Sequence, residues 1–521
     1  MNNPIKYPVD TASFQRLRED GYLYVDKTEY IHKLISSGRY YFLARPRRFG
    51  KSMLLNTLEA FFLNRRELFK GLALDTLQPD PWEESPILRL DLTGTVYNSK
   101  DRLENMLHAT INRWEDEYCL ERSEGEVSMR FYDLILRLAE NTGKKVVVLV
   151  DEYDAPLTEN IDRKELQEQF REQLRGFYSV LKKADDYLRF CMLTGVTRYG
   201  KVSVFSGLNN LNDITFKDAY AGVCGITEEE LHRYYEVGVG EFAKKEGITV
   251  PEAFERLKFH YDGYHFSECL LDVYNPFSIN HALADLAIKD YWCASGAPTV
   301  FIKQLKEMDF ELDKLTRSEV SEERLSNLSM FSYDPVPLFF QTGYLTLKTY
   351  EKDDDLYTIG YPNREVERGL LRNLLQVYKP HDDMSTDITI KRLRNCLRQG
   401  EPEKFVELLR TFFAGIPSDL HRYVGKYENY YHSLIYALLT LVGLDTRAEY
   451  GTSHGFIDLL IKMDEYIYII ELKINGTAQD AMQQIERKEY TLPFAKDSRR
   501  LYRIGIGFSK STHNIDSYII E

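Results

Sequence analysis

The sequence predicts an α/β protein whose N-terminal part is built on a parallel sheet with flanking helices. Two apolar runs carry this prediction: Tyr40–Ala44, which a helical pattern follows, and residues 146–150, which are apolar at every position. A run without polar interruptions is typical of a strand buried on both faces of a parallel sheet. Strand and helix patterns alternate as far as a third run at 190–196, as in other α/β folds.

Length and composition limit the classes of protein to consider. The 521 residues suffice for several domains, and 67 basic against 81 acidic residues give a formal net charge of −14. This balance argues against a general nucleic-acid coat, although a local basic groove is compatible with it. The six cysteines are dispersed and no secretory signal is visible at the start, which predicts a cytoplasmic protein. The sequence has no apolar run of ~20 residues, which predicts a soluble protein without membrane contact.

The segment RPRRFGKS at residues 45–52 lies between the first strand and a helical pattern over residues 52–62. This is the layout of a phosphate-binding loop, in which backbone amides at the helix start cradle phosphate oxygens. Lys51 would reach the β- and γ-phosphates of ATP, and Ser52 would offer its hydroxyl to Mg²⁺. Arg45 stands where the usual pattern has a glycine, so a surface turn with solvated arginines remains an alternative. The residues predicted to bind the nucleotide in this segment are Arg48, Gly50, Lys51 and Ser52.

Two carboxylates follow the second buried run, in VVVLVDEYDAP. Residues at the carboxyl ends of parallel strands lie where α/β sheets bind ligands. Asp151 is predicted to hold Mg²⁺ through water, and Glu152 to polarise the water that attacks ATP. The alternative is a core strand with an acidic turn. The combination with RPRRFGKS, in this order and spacing, favours an ATPase.

Several strings together resemble the AAA-ATPase-like family of bacterial proteins. They are RPRRFGKS, VDKTEYI before it, LVDEYDAP and LTGVTRYGKVSVFSGLNNLNDIT, and further YDGYHF (261–266), VYNPFS (273–278), FQTGYLTL (340–347) and YPNREV (361–366). In that family an arginine-rich loop replaces the first glycine, in agreement with Arg45. The resemblance implies a P-loop NTPase fold, and commonly a C-terminal domain of the PD-(D/E)XK nuclease superfamily.

The same resemblance implies two further nucleotide-site residues. In this class of ATPase, the strand beside the acidic strand carries a polar residue that senses the γ-phosphate. Thr194, near the end of the strand at 190–196, is the candidate, and Arg198 is expected to contact phosphate from just beyond it. A threonine at a strand end also occurs for structural reasons alone.

The change along the sequence from alternating strand and helix patterns to mainly helical patterns, and then to a last set of strand patterns, predicts three parts. Residues 1–225 form the ATPase-like domain, residues 226–410 a mainly helical lid and linker region, and residues 411–521 a nuclease-like domain. The middle part opens with Thr227 three residues before Glu230, a capping-box spacing that predicts a helix start. Local β structure is expected at GYLTLKTY (343–350), and the charged run at 352–355 is expected to form a hairpin tip.

The last hundred residues contain a second set of chemical groups. FIDLLIKM and DEYIYIIELKI predict a β-hairpin, with Asp458 thirteen residues before Glu471 and Lys473 two residues after it. The two-residue period of a strand places Glu471 and Lys473 on one face. Asp458 and Glu471 would bind Mg²⁺ or Mn²⁺, and Lys473 would orient the attacking water and stabilise charge on a phosphodiester.

This arrangement is similar to the PD-(D/E)XK superfamily and implies an α/β, restriction-endonuclease-like fold. By the same resemblance, the helix AMQQIERKEY (481–490) carries Gln484 as an extra polar residue. Glu428 is the candidate acidic residue from a preceding helix, with Glu449 and His432 as rivals. Related domains often have an arginine where Phe456 stands, which affects phosphate steering rather than metal binding.

Taken together, the sequence predicts an ATPase that controls a metal-dependent nuclease. The expected cofactors are ATP and Mg²⁺, with Mn²⁺ as an alternative at the nuclease site. The expected partner is DNA, with RNA not excluded, and a homo-oligomer is compatible with the sequence. The alternative is a nucleotide-dependent signalling switch whose nuclease-like domain is an inactive binding module.

Overall fold

The computed structural model describes residues 5–79, 81–199, 204–205, 210–294, 315–316, 318–326, 328, 334–378, 383–415, 429–444, 459–509 and 511–521. The chain divides into two compact units. Unit 1 comprises Met1–Ser295 and Thr316–Val366, and unit 2 comprises Gly296–Leu315 and Glu367–Glu521.

A parallel sheet of five strands in the order β2–β3–β4–β1–β5 forms the centre of unit 1. Its strands are β1 (Tyr40–Ala44), β2 (Ile87–Asp91), β3 (Val146–Asp151), β4 (Leu188–Gly195) and β5 (Asn212–Asp213). Every residue of β1 and β3 is buried, which confirms the prediction from the unbroken apolar runs. Because β4 lies between β1 and β3, the carboxyl ends of these three strands are neighbours at one edge of the sheet.

The buried residues of the helices between β2 and β4 share one core with the strands of this sheet. The helices of this part of unit 1 alternate with the strands along the chain. They are α1 (Phe14–Glu19), α2 (Thr28–Ser37), α3 (Lys51–Phe62), α4 (Ala73–Leu77), α5 (Asp101–Glu117), α6 (Val127–Thr142), α7 (Ala155–Thr158) and α8 (Lys164–Lys183). Short 3₁₀ turns occupy Arg66–Phe69, Asp185–Tyr187 and Asp218–Tyr220. In α8, for example, Phe170, Leu174, Phe177 and Leu181 recur every three or four residues and join the core around β3 and β4.

The remainder of unit 1 is mainly helical with short strands. Its elements are β6 (Ile226–Thr227), α9 (Glu228–Glu246), α10 (Val250–Tyr261), β7 (Val273–Tyr274), α11 (Pro276–Asp285), α12 (Tyr291–Ala294), β8 (Glu319–Val320), α13 (Glu322–Ser326), α14 (Val336–Gln341), β9 (Thr346–Glu351) and β10 (Leu356–Gly360). Thr227 and Glu230 form the predicted capping box at the start of α9. The predicted β structure is β9, which pairs with β10 across the charged tip.

Unit 2 places a four-stranded sheet among helices. The chain enters it along α15 (Arg364–Tyr378). The later elements are α16 (Asp383–Arg398), α17 (Pro402–Ala414), α18 (Asn429–Leu444), β11 (Leu459–Lys462), β12 (Tyr466–Ile474), α19 (Ala478–Arg487), a 3₁₀ turn at Leu492–Phe494, β13 (Arg500–Ser509) and β14 (Asn514–Ile520). The strand order is β11–β12–β13–β14. Only β12 and β13 run parallel among these pairs, and α19 is the crossover between them.

The compact units differ from the division predicted from sequence texture. Residues 226–295 and 316–366 share unit 1 with the parallel sheet, and residues 367–410 belong to unit 2. That separate domains begin after residues 225 and 410 therefore remains a prediction. Among the helices of the described ranges, none combines the length and apolarity needed to cross a bilayer.

Candidate functional site

The loop between β1 and α3 has the backbone of an anion-binding site. Gly50 precedes α3 with φ of 99°, a conformation that favours glycine, and the space where a Cβ would lie is open. Arg48 also has a positive φ, of 70°. Within the described part of the chain, the amides of Arg48, Phe49 and Gly50 donate to no protein acceptor. Free amides at a helix start are the groups that bind phosphate oxygens.

Lys51 is held at the centre of this loop. Its side chain is 3% exposed, and Nζ donates to the carbonyl oxygens of Arg45 at 3.0 Å and Pro46 at 3.2 Å. Nζ also lies 3.1 Å from Oε1 of Glu152, which follows β3. The structure thus brings together the two halves of the predicted nucleotide site, which are a hundred residues apart in sequence.

Arg45 explains how the loop folds without the usual first glycine. Its side chain is buried, donates to the carbonyl oxygens of Ala44 at 2.9 Å and Thr215 at 2.8 Å, and lies 4.2 Å from the centre of the Phe266 ring. Burial lowers the pKa of Arg45 to about 10. Arg45 therefore anchors the loop from inside unit 1. Of the three arginines of the loop, only Arg47 and Arg48 are exposed, as the alternative of a surface turn with solvated arginines requires of all three.

Asp151 and Thr194 meet at the carboxyl edge of the sheet. The Thr194 hydroxyl donates to Oδ1 of Asp151 at 2.8 Å, and Arg89 approaches Oδ2 at 3.1 Å. Thr194 pairs with Leu43 in β1, so it lies between the strand that leads into the phosphate loop and the acidic strand. This position matches the one predicted for a residue that senses the γ-phosphate.

Glu152 adopts a left-handed backbone conformation with φ of 49°, which is uncommon for a residue with a side chain. Such conformations are maintained by their surroundings and concentrate at functional sites. The next residues supply that support: the buried Asp154 accepts hydrogen bonds from the backbone amides of Val196 at 3.1 Å and Thr197 at 2.7 Å. Burial, with the nearby charge of Glu152, raises the pKa of Asp154 to about 6.

Sequence reasoning missed Asp154 as a residue of the site, although it belongs to the same DEYDAP string. Its close packing is visible at Gly195, where a Cβ would lie 2.4 Å from Oδ1 of Asp154 and 2.5 Å from the Tyr153 ring. A third carboxylate so soon after Asp151 and Glu152 is the signal in the sequence. Asp154 ties the acidic turn to the end of β4 and so fixes where Glu152 points.

Arg198 lies just beyond β4 but is engaged elsewhere. Its guanidinium pairs with Asp213 at 2.7 Å and donates to the Ser326 hydroxyl at 2.5 Å, and it lies 5.2 Å from the centre of the Phe216 ring. Its backbone amide donates to the Gln341 side chain at 2.6 Å. The predicted contact between Arg198 and phosphate would require the ion pair with Asp213 to open.

The sequence analysis assigned no role to four of the strings that resemble the family, and in the structure residues from these strings lie at or near the phosphate loop. From YDGYHF, the rings of Tyr264 and Phe266 pack on Phe49, with centroids at 4.8 and 5.3 Å. From VYNPFS, Phe277 lies under the guanidinium of Arg48 at 4.9 Å. The remaining two strings contribute Gly343, where a Cβ would lie 2.7 Å from Pro46, and Glu365. All these residues belong to unit 1, so segments far along the chain shape the loop.

Glu365 is a buried carboxyl beside this cluster. It is 1% exposed, and its oxygens accept from the Ser278 hydroxyl at 2.7 Å and from the backbone amide of Trp292 at 2.6 Å. Burial raises the pKa of Glu365 from its ordinary value of 4.5 to about 8, against the opposing effect of these hydrogen bonds. At neutral pH the folded protein therefore holds a proton on Glu365 that the unfolded chain releases.

This difference predicts a pH dependence of stability. The contribution of protonated Glu365 is fully present below its ordinary pKa of 4.5 and is lost as pH rises through about 8. Glu365→Gln should flatten the fall in unfolding free energy across this window by up to about 1.4 kcal/mol per pH unit. Urea unfolding of parent, variant and the exposed control Glu255→Gln at several pH values measures it. Parallel curves for parent and Glu365→Gln would contradict the assignment.

In unit 2 the structure brings together three predicted nuclease residues. Nζ of Lys473 lies 3.1 Å from Oε1 of Glu471 and 2.6 Å from Oε1 of Gln484. Glu471 and Lys473 share one face of β12, as the two-residue period predicted, and Gln484 comes from α19. Glu471 is fully buried, whereas Lys473 is 30% exposed. The lysine thus contacts a buried carboxylate while part of its own side chain is accessible to solvent.

Glycines in β13 allow α19 to approach closely enough for this contact. Gly505 pairs with Glu471 and Gly507 with Lys473 in the parallel register. A Cβ at Gly505 would lie 2.6 Å from the Ala478 carbonyl oxygen, and one at Gly507 2.8 Å from that of Gly476. Side chains at these two positions would push the start of α19 away from the sheet and Gln484 away from Lys473.

The remaining predicted nuclease residues cannot be placed. Asp458, Glu428 and the rival Glu449 lie outside the described residues, and of the rival His432 only the position in α18 is described. Leu459, the first residue of β11, pairs with Ile470, the neighbour of Glu471. In the described ranges there is no group of three or more His, Cys, Asp or Glu side chains arranged to hold a metal ion.

The donors at both sites fit a hard divalent cation. Ser52 in the first turn of α3 and Asp151 at the end of β3 offer oxygen atoms at the phosphate loop, and Glu471 offers a carboxylate in unit 2. Mg²⁺ and Mn²⁺ prefer oxygen ligands of this kind. At the second site, Glu471 is the one predicted metal ligand that lies within the described residues.

Comparison with known proteins matches both parts of the chain. A family model described as predicted AAA-ATPase matches residues 8–205, and one described as PD-(D/E)XK nuclease superfamily matches residues 426–518. Among curated proteins, an uncharacterized protein in the vnfD 5′ region of Azotobacter chroococcum mcd 1 is 33% identical over 526 residues. The aligned region covers 99% of each of the two chains.

Proposed function

The chain belongs to the family of predicted AAA-ATPases with a C-terminal domain of the PD-(D/E)XK nuclease superfamily, and on this basis we propose that it binds and hydrolyses ATP to control a metal-dependent nuclease. The observation that carries the proposal is the contact of 3.1 Å between Lys51 and Glu152. It joins a phosphate-binding lysine to a carboxylate held in an uncommon backbone conformation.

At the nucleotide site, each residue has a proposed role. The free amides around Arg48 and Gly50 bind the phosphate chain, and Lys51 exchanges its carbonyl and Glu152 partners for phosphate oxygens. Glu152, released from Lys51, accepts a hydrogen bond from the attacking water and orients it. Thr194 reports on the γ-phosphate through Asp151. Mg²⁺, held by Ser52 and through water by Asp151, would neutralise charge on the phosphates.

The guanidinium of Arg198 is bound by Asp213 and Ser326. We keep it as a group that reaches phosphate only after that pair opens. The segments of residues 264–292 and 343–365, which supply the contacts with the loop, are then the part of unit 1 that senses whether nucleotide is bound.

At the nuclease site, we propose that Asp458 and Glu471 bind the divalent cation and that Lys473 positions the attacking water. Gln484 holds the Lys473 ammonium, and Glu428 is the proposed additional acid. A bound cation would lower the cost of negative charge developing on the phosphodiester. The proposed substrate is DNA, with RNA as the alternative outcome of a substrate panel, and a homo-oligomer is compatible with the proposal.

The ATPase half of the proposal predicts a specific loss in Glu152→Gln. The amide keeps the size of the side chain but cannot accept the proton or orient water as a carboxylate does, so ATP should stay bound while kcat falls about 100-fold or more. Steady-state hydrolysis and equilibrium ATP binding measure the two effects separately. The exposed Glu165→Gln on α8 is the matched control. Equal turnover by Glu152→Gln and parent would show that Glu152 is only structural.

A further inference from the structure

Trp292 makes a specific contact with the phosphate loop across 245 residues of sequence. Its indole Nε1 donates a hydrogen bond of 3.0 Å to the carbonyl oxygen of Arg47. The side chain is 5% exposed and packs against the Tyr344 ring at 5.1 Å. Gly343, with φ of 91°, lets this cluster approach: a Cβ there would lie 2.7 Å from Pro46 and 3.4 Å from the indole.

The planarity of the peptide bond gives this contact a consequence for phosphate binding. In a trans peptide the carbonyl of Arg47 and the amide of Arg48 point in opposite directions. A donor that holds the Arg47 oxygen therefore fixes the direction of the Arg48 N–H. The Gly225 amide acts in the same way on the Phe49 carbonyl at 3.1 Å and so fixes the Gly50 N–H. Both oriented amides are among those for which the described residues supply no acceptor.

The backbone of Arg48 needs such support. A positive φ is sterically strained for a residue with a side chain and persists only when the surroundings impose it. The exposed side chain of Arg48 contacts the Phe277 ring, and the Arg47 carbonyl receives the indole hydrogen bond. The two contacts flank the peptide that has to face the phosphates.

Glu365 in turn holds Trp292. Its Oε1 accepts from the Trp292 backbone amide at 2.6 Å, and its Oε2 accepts from the Ser278 hydroxyl at 2.7 Å. Ser278 lies in the first turn of α11, where the Asn275 side chain caps the helix. Glu365 itself lies in the first turn of α15, so the backbone of Trp292 is fixed between two helix starts.

We infer that Trp292 and Glu365 are positioning residues for nucleotide binding, which orient the Arg47–Arg48 peptide so that its N–H faces the phosphates of ATP. The inference rests on the proposed ATP binding and adds two residues that neither the loop motif nor the acidic strand includes. Neither side chain has to contact the nucleotide. Trp292 acts through the Arg47 carbonyl, and Glu365 acts through Trp292.

The first test replaces one hydrogen bond and retains an aromatic ring. Trp292→Phe should raise the Kd for ATP about tenfold, the effect expected from one misoriented hydrogen bond to a charged phosphate. Trp82→Phe is the matched control, because Trp82 is also buried and its indole donates to the Gln78 carbonyl at 3.0 Å, away from the loop. Titration calorimetry of the full chain measures both. Equal Kd values for the two variants, when the parent binds ATP, would overturn the inference.

The second test separates positioning from packing at Glu365. Glu365→Gln keeps an oxygen that accepts from the Trp292 amide and should bind ATP within about twofold of the parent, whereas Glu365→Ala should weaken binding about as much as Trp292→Phe. If Glu365→Ala binds ATP as tightly as the parent does, this result contradicts the inference, even if Trp292→Phe fails to fold. If the parent itself binds no ATP, the proposed function fails first. The parent titration therefore distinguishes the two failures.

Discussion

Lys51→Ala is expected to abolish tight ATP binding, with a loss of at least about 100-fold in affinity. The side chain supplies charge-assisted hydrogen bonds to phosphate, each worth about 1.5–3 kcal/mol, and alanine has no group that can replace them. In the structure Nζ already lies among two loop carbonyls and the Glu152 carboxylate, ready to exchange them for phosphate oxygens.

The same substitution should leave the fold intact. Glu152, the charge left without its partner, is 19% exposed, so water can solvate it. Thermal unfolding of the variant shows whether the chain folds, and calorimetric titration with ATP measures the affinity. Lys70→Ala, at an exposed lysine of the same unit, is the control. A folded Lys51→Ala protein with unchanged affinity would favour a surface turn over a phosphate-binding loop.

Lys473→Ala is expected to remove nuclease activity, with at least a 100-fold fall in cleavage rate. A cationic group that stabilises charge developing in a transition state commonly contributes an effect of this size. Lys473 is the residue that links the buried Glu471 carboxylate to Gln484, so its loss also removes the contact that orients both. Cleavage of plasmid and single-stranded DNA with Mn²⁺ measures the effect.

A folding control is essential here because Glu471 is fully buried. Removal of one partner from a buried ion pair leaves an uncompensated charge and can destabilise a protein by about 3–5 kcal/mol. Gln484→Ala, which keeps the Lys473–Glu471 pair, should reduce cleavage by less and at little cost in stability. Lys488→Ala, an exposed lysine just after α19, controls for general charge loss. Activity retained in a folded Lys473→Ala protein would favour the inactive binding module.

The sequence was sufficient for features that depend on local pattern. The unbroken apolar run of β3 predicted a strand buried on both faces, and the two-residue period of β12 placed Glu471 and Lys473 on one face. The order of a loop lysine and a carboxylate after a buried strand predicted that Lys51 and Glu152 belong to one site, and the structure places them in contact. These inferences require only the periodicity of one element and the common edge at which parallel strands end.

The features that the sequence did not predict depend on contacts between distant segments. Nothing in RPRRFGKS shows that Arg45 turns inward to the Thr215 carbonyl while Arg47 and Arg48 remain exposed. The donor to the Arg47 carbonyl comes from Trp292, in a segment that reads as ordinary helix and loop. Such contacts are set by tertiary packing, which local propensity and periodicity do not encode.

The most direct test of the central claim is cleavage by the purified full chain with and without ATP. Plasmid, single-stranded DNA and RNA are incubated with Mg²⁺ or Mn²⁺, each with the parent, Lys51→Ala and Lys473→Ala. We expect cleavage of at least one substrate to require the divalent cation, to change several-fold with ATP in the parent but not in Lys51→Ala, and to be lost in Lys473→Ala. A cleavage rate that does not change with ATP, or the lack of metal-dependent cleavage of every substrate, would contradict the claim that the protein is an ATPase that controls a nuclease.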